Sequence, residues 1–206
     1  MAAFEQAASE RAQQALTVDQ SLWSDNAKAR YRKAQDQVHD APVALLEIEK
    51  LGLKVPVFVG INRLTLNRGA GIVDGTALPG ENGNMVISAH RDSYFRSLKD
   101  IAVDDPIVLK TLDGPEHFRV ANISITDPLD VSVLDETPTS TLTLITCYPF
   151  YYVGYAPERY IVRAVPADAD NPTSEQTVAQ ATAAGRNHRA NAEDKHSSRR
   201  RIRRDT

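Results

Sequence analysis

The sequence contains a single cysteine, a single tryptophan and two methionines in 206 residues. One cysteine excludes an internal disulfide. It also excludes a thiolate-cluster zinc site, which needs several cysteine ligands at set spacings. No His-Glu-x-x-His pattern is present, and no metal or cofactor is expected. Long apolar runs are missing as well: stretches such as Val43 to Leu46 stop after a few residues, well short of the ~20 that a membrane-spanning helix needs. Charge of one sign is not in excess. The 24 basic and 27 acidic side chains leave a formal net charge of −3, so no global field favours nucleic acid or an anionic membrane. What is present, 42% hydrophobic and 25% charged residues, is ordinary for a globular domain with a proper core plus extensions.

Residues 1–41 carry helical rather than strand patterns. Phe4, Ala7, Ala8, Arg11, Ala12, Ala15 and Leu16 recur at three-four spacing. A second helix is expected from about Ser24 to Val38, capped by Ser24, with Trp23, Ala27, Tyr31 and Ala34 on one face and Trp23 docking this arm onto the main domain. After Asp40-Ala41-Pro42 the pattern changes to short strand-like runs divided by turn residues, which indicates an all-β sandwich or barrel over 42–167. Strands are expected at Val43–Glu49, Lys54–Val59 and Asn84–Ala89. A hairpin of Pro106–Leu112 and Glu116–Ile125 follows, turning at Asp113-Gly114. Asn62 to Gly75 reads as a short helix and loop, and Asp127 to Ser140 as a long loop. Residues 168–206 hold six acidic and eight basic residues with almost nothing to bury, so a disordered tail ending in Arg199-Arg200-Arg201-Ile202-Arg203-Arg204 is expected.

The cysteine lies in the last part of the domain. Thr141, Thr143, Ile145 and Cys147 alternate with Leu142, Leu144 and Thr146, as in a half-buried strand that Tyr148-Pro149 brings to an end. A second strand opens at Arg159 and runs to Ala164. A lone cysteine is usually a small buried hydrophobe, so chemistry at Cys147 needs partners. At a reference pKa of about 8.5 little of a thiol is ionised at neutral pH, and a nearby histidine or arginine shifts that balance. Of the five histidines, His39 ends the helical arm, His188 and His196 lie in the tail, and His117 falls inside the hairpin. His90 closes a strand and opens a loop, as Cys147 does. Cys147, His90 and Arg159 therefore stand at three strand boundaries and suffice chemically as nucleophile, proton shuttle and oxyanion stabiliser for acyl transfer.

Thr143-Leu144-Ile145-Thr146-Cys147 resembles the Thr-Leu-x-Thr-Cys signature of sortases, and Pro157-Glu158-Arg159-Tyr160-Ile161-Val162 resembles their arginine-bearing strand. Leu51 to Val57, Gly75 to Gly80, and Ala89-His90-Arg91-Asp92 followed by Phe95 and Leu98 are most similar to class D sortases. The resemblance spans about Pro42 to Ala164. It implies a closed eight-stranded β-barrel and a cysteine transpeptidase acting on surface proteins with an LPxT-like sorting signal. In that reading Cys147 attacks the Thr carbonyl, His90 handles the amine protons, Arg159 holds the oxyanion or the peptide, and the acyl group passes to a cell-envelope or protein amine. Leu129, Val131, Val133 and Leu134 in the long loop, with Thr146 and Ala89, are the candidate substrate-binding residues. The resemblance also implies attachment at the extracytoplasmic face of a bacterial membrane by an N-terminal helix that this chain does not include, its start being expected to fall after that helix. Two other readings use the same residues: a cysteine peptidase that ends in hydrolysis, and a catalytically silent barrel that binds extended peptides. Binding of nucleic acid is not expected.

Overall fold

The computed structural model describes residues 18–35, 41–152 and 154–167. The expected helix over Phe4–Leu16 and the tail from 168 onward lie outside them. Eight strands close into a barrel: β1 (Ala44–Ile48), β2 (Leu53–Val59), β3 (Ala70–Ile72), β4 (Asn84–Ser88), β5 (Pro106–Thr111), β6 (Pro115–Thr126), β7 (Thr141–Tyr148) and β8 (Glu158–Pro166), joined around the wall in the order β1-β2-β3-β4-β7-β8-β6-β5. The pairs β2–β3 and β4–β7 are parallel and the rest are antiparallel. Among the described residues two α-helices flank the barrel, α1 (Asp25–Gln35) and α2 (Arg63–Arg68), and a 3₁₀ segment spans Tyr94–Asp100.

Strand alternation builds the core. Leu46 and Ile48, Val55 and Val57, Ile107 and Leu109, and Leu142 and Leu144 point inward and are fully buried. Each such side chain contributes about 1.5–3 kcal/mol of apolar burial. The hairpin turns at the expected place, with Thr111 N–H donating to the Gly114 carbonyl at 3.1 Å. β6 is long enough to pair with β5 through its first half and β8 through its second, and a register shift between Val120 and Asn122 bends it from one partner to the other.

The sequence pattern did not disclose β3, which sits where a helix and loop were expected. Only three residues pair, and Gly71 permits it: a Cβ there would stand 2.2 Å from the Gly60 carbonyl oxygen. Periodicity cannot register a strand made by close backbone approach. The half-buried reading of β7 also needs correction. Thr141 and Thr143, expected on the open side, are buried, and the Thr143 hydroxyl donates to Asn84 Oδ1 at 2.7 Å. The loop 127–140 covers that face, because Asn84 Nδ2 donates to the carbonyls of Val133 (2.9 Å) and Asp135 (3.0 Å).

The arm docks as its pattern implied. Ser24 Oγ accepts from Ala27 N–H at 3.2 Å and caps α1. Trp23 is 7% exposed and meets the rings of Tyr94 (4.5 Å) and Tyr31 (5.5 Å) edge-on. Burial pushes the Tyr94 phenol far up, and its hydroxyl donates to the Arg68 carbonyl at 2.6 Å.

Candidate active site

Strand register brings the three sequence candidates to one rim. β7 and β8 pair antiparallel with Cys147 opposite Arg159. β4 and β7 pair parallel from Asn84 opposite Thr141 to Ser88 opposite Ile145. Ala89 N–H continues the ladder by donating to the Ile145 carbonyl at 3.3 Å. Two residues beyond Ser88 and Ile145 along these parallel strands stand His90 and Cys147, so His90, Cys147 and Arg159 follow one another across β4, β7 and β8. Cys147 and His90 line a common open cleft of about 770 Å³, together with Arg91, Asp92, Arg96 and the loop after β7.

Thr146 and Ala89 are buried and do not line that cleft. Thr146 is 2% exposed and its hydroxyl donates to the Ala89 carbonyl at 2.8 Å. The threonine before the cysteine is therefore a buried tie that fixes the end of β4, and with it His90, to the nucleophile strand. Leaving that carbonyl unpaired costs about 1–3 kcal/mol.

His90 is half-buried, and burial holds its imidazole below the ordinary histidine range; Asp92 acts against this and Arg30 adds to it. Burial alone would raise the Asp92 carboxyl, but hydrogen bonds from Arg30 Nη2, at 2.9 and 3.1 Å, bring it below the usual carboxylate range. Arg30 belongs to α1, so the helical arm contributes a charge beside the histidine. No sequence signal connects residues 62 positions apart, and neither Arg30 nor Asp92 stands out in the sequence as a site residue.

The loop after β7 is clamped from the residue next to His90. The Arg91 guanidinium donates to the carbonyls of Pro149 (2.7 Å), Tyr152 (2.9 Å) and Gly154 (3.3 Å). Arg96 donates to the Phe150 carbonyl and lies 4.3 Å over the Tyr151 ring. Arg159 Nη1 donates to the carbonyls of Glu158 (3.0 Å) and Ala156 (3.4 Å), which fixes the start of β8.

The long loop lies over a separate groove. Val133 lines a cavity of about 420 Å³ with Ile161 and Arg163 of β8 and Asn122, Ser124, Ile125 and Thr126 of β6. Ile161 and Arg163 share the strand face of Arg159. Leu129 and Val131 are 87% and 68% exposed, and Leu134 is half-buried. The acidic residues between them form local turns: Asp127 Oδ1 accepts from Leu129 N–H, and Asp130 Oδ1 from Ser132 N–H. His117 is exposed on β6, away from the cleft. Among the described residues no group of three or more His, Cys, Asp or Glu is arranged to hold a metal, and no helix is long and apolar enough to cross a membrane.

Residues 46–167 match the family model described as the sortase domain. Sortase D of Bacillus subtilis is 35% identical over 119 residues, 57% of this chain and 60% of that protein. Sortase A of Listeria monocytogenes is 30% identical over 112 residues, half of its length. The match thus spans between half and three-fifths of these curated relatives. Among solved structures, a Clostridium perfringens sortase D5 transpeptidase superposes with a TM-score of 0.56 at 27% identity, over 69% of this chain and 94% of that one. Sortase E1 of Streptomyces coelicolor, solved with a tripeptide in its active site, superposes with a TM-score of 0.56 at 30% identity, over 65% and 95%.

Proposed function

The chain belongs to the sortase family, and from that premise we propose that it is a cysteine transpeptidase that cleaves an LPxT-like sorting signal and joins the resulting acyl group to an amine. The observation that carries this reading is the register that sets His90, Cys147 and Arg159 side by side on three adjoining strands. His90 takes the proton of the Cys147 thiol as the sulfur adds to the Thr carbonyl carbon. Arg159 stabilises the oxyanion, the peptide C–N bond breaks, and the leaving amine takes its proton from His90, leaving a thioester on Sγ. An acceptor amine then attacks that thioester, His90 removes its proton, and the C–S bond breaks as the new amide forms.

The sorting signal occupies the groove under the loop 127–140, with Leu129, Val131, Val133 and Leu134 reading its Leu-Pro end. Its carrier is a surface protein held at the extracytoplasmic face of the membrane. Intact mass of the protein incubated with an LPxT-type peptide tests this. The expected result is a mass increase equal to the acyl fragment, lost in Cys147→Ala with its circular dichroism unchanged. Turnover in Cys147→Ala would remove the thiol from the chemistry.

A further inference from the structure

The cavity under the loop 127–140 is more polar than a site for Leu and Pro alone requires. Asn122, Ser124 and Thr126 on β6 and Ser132 on the loop line it beside Ile161 and Val133, and two charged groups stand among them, Asp130 and Arg163. Both carboxylate oxygens of Asp130 are occupied: Oδ1 accepts from the Ser132 N–H at 3.0 Å and from its hydroxyl at 2.6 Å, and Oδ2 accepts from the Thr126 hydroxyl. Arg163 has no such partner. It is half-buried on β8, and among the described residues it makes no hydrogen bond or ion pair. The other arginines of β6 and β8 are engaged, Arg159 with the carbonyls of Ala156 and Glu158 and Arg119 with Asp104 at 3.5 Å. A guanidinium presents its donors in a fixed fork that matches a carboxylate, and Arg163 keeps that fork uncommitted inside a cavity.

Strand geometry sets the distance from Arg163 to the chemistry. Arg159 stands opposite Cys147 and Arg163 opposite Thr143, so both arginines share the face of the nucleophile, and Arg163 is four residues, about 13 Å, further along β8. An extended peptide covers the same distance in four residues. With the Thr carbonyl of a sorting signal at Cys147 and its Leu-Pro end at Val133, the residue level with Arg163 is the one that precedes the Leu.

We infer that Arg163 is a specificity-determining residue that pairs with an acidic side chain immediately before the Leu of the sorting signal. The inference rests on the transpeptidase reading and adds to it a class of residue outside the four of the signal. This contact is made equally in the ground state and in the transition state, so it acts on KM and leaves kcat unchanged. The protein's formal net charge of −3 gives an acidic peptide no general advantage, so a preference for one reports a local cation.

The test compares two LPxT-type peptides that differ only in carrying Glu or Gln before the Leu. The expected kcat/KM for cleavage favours Glu by about fivefold, the upper end for a half-exposed ion pair. The difference lies in KM and shrinks as salt is raised. Arg163→Gln is expected to remove the preference, and Arg163→Glu to transfer it to a peptide with Lys at that position. Equal use of the Glu and Gln peptides by the unsubstituted protein would overturn the inference, as would a preference that survives Arg163→Gln. The comparison in unsubstituted protein stands whether or not the variants fold. Acyl-enzyme formation is read separately by intact mass: a thioester that forms equally well from both peptides sinks the role of Arg163 alone, whereas no thioester from either sinks the transpeptidase reading and that role together.

Discussion

At the scale of single residues, the rim depends on groups that cannot be exchanged for others of like charge. Arg159, opposite Cys147 in the strand register, uses Nη1 on the carbonyls of Ala156 and Glu158. A lysine keeps the charge but not the fork. Arg159→Lys is expected to lower kcat/KM by about 10²–10³, the usual worth of one oxyanion donor at about 2.7–4 kcal/mol; a peptide-cleavage assay measures it. His90 gives a second expectation. Burial lowers its pKa, Asp92 raises it and Arg30 lowers it. Arg30→Met removes one lowering influence and frees the Asp92 charge, so the imidazole titration followed by NMR should move up, whereas Asp92→Asn should move it down. Because the fold favours neutral His90, the unfolded chain takes up this proton first. Its contribution to stability is complete above about pH 6.5 and declines as pH falls toward the lower folded value. Asp92, whose folded pKa is depressed, contributes above its unfolded value and loses that contribution at a more acidic pH, as its folded pKa is crossed.

At the scale of elements, two loops border the site and are held in different ways. The loop after β7 is tied by guanidinium-to-carbonyl bonds from Arg91 and Arg96. The loop before β7 is fixed at its C-terminal half by Asn84 and leaves Leu129 and Val131 in solvent. Exposed apolar side chains on an anchored loop are available to a ligand at no cost in core packing. Replacing Val131 and Leu134 with alanine is therefore expected to raise KM for an LPxT peptide several-fold and to relax the choice at its first position, with a melting temperature close to that of the unsubstituted protein. A lowered melting temperature with unaltered peptide choice would make the loop a structural cover only. Asn84 was not distinguishable in the sequence from any other strand-opening residue, because its partners lie 49 to 59 positions away.

At the scale of the whole molecule, the arm and the barrel share one core: Trp23 and Ala27 belong to the same hydrophobic cluster as Leu46, Phe95 and Leu144. Trp23→Ala should cost about 3–5 kcal/mol, the range for removing a large aromatic from a packed site, and thermal unfolding should show it as a lowered midpoint. Most strands, the hairpin turn, the helix cap at Ser24 and the placement of Cys147, His90 and Arg159 at strand ends were legible because each is encoded locally, by alternation, by turn formers or by position at a strand end. Their motifs also gave the family. The sequence could not disclose β3, which depends on Gly71 approaching Gly60, or the burial of Thr141 and Thr143, which depends on where a later loop lands. The tie from Thr146 to the Ala89 carbonyl was not legible either, since it joins residues 57 positions apart. The sequence was silent on Arg30. Single-residue chemistry and strand period are properties of the chain itself, whereas the register of parallel strands and the meeting of Arg30 of α1 with Asp92 after β4 exist only once the barrel has closed.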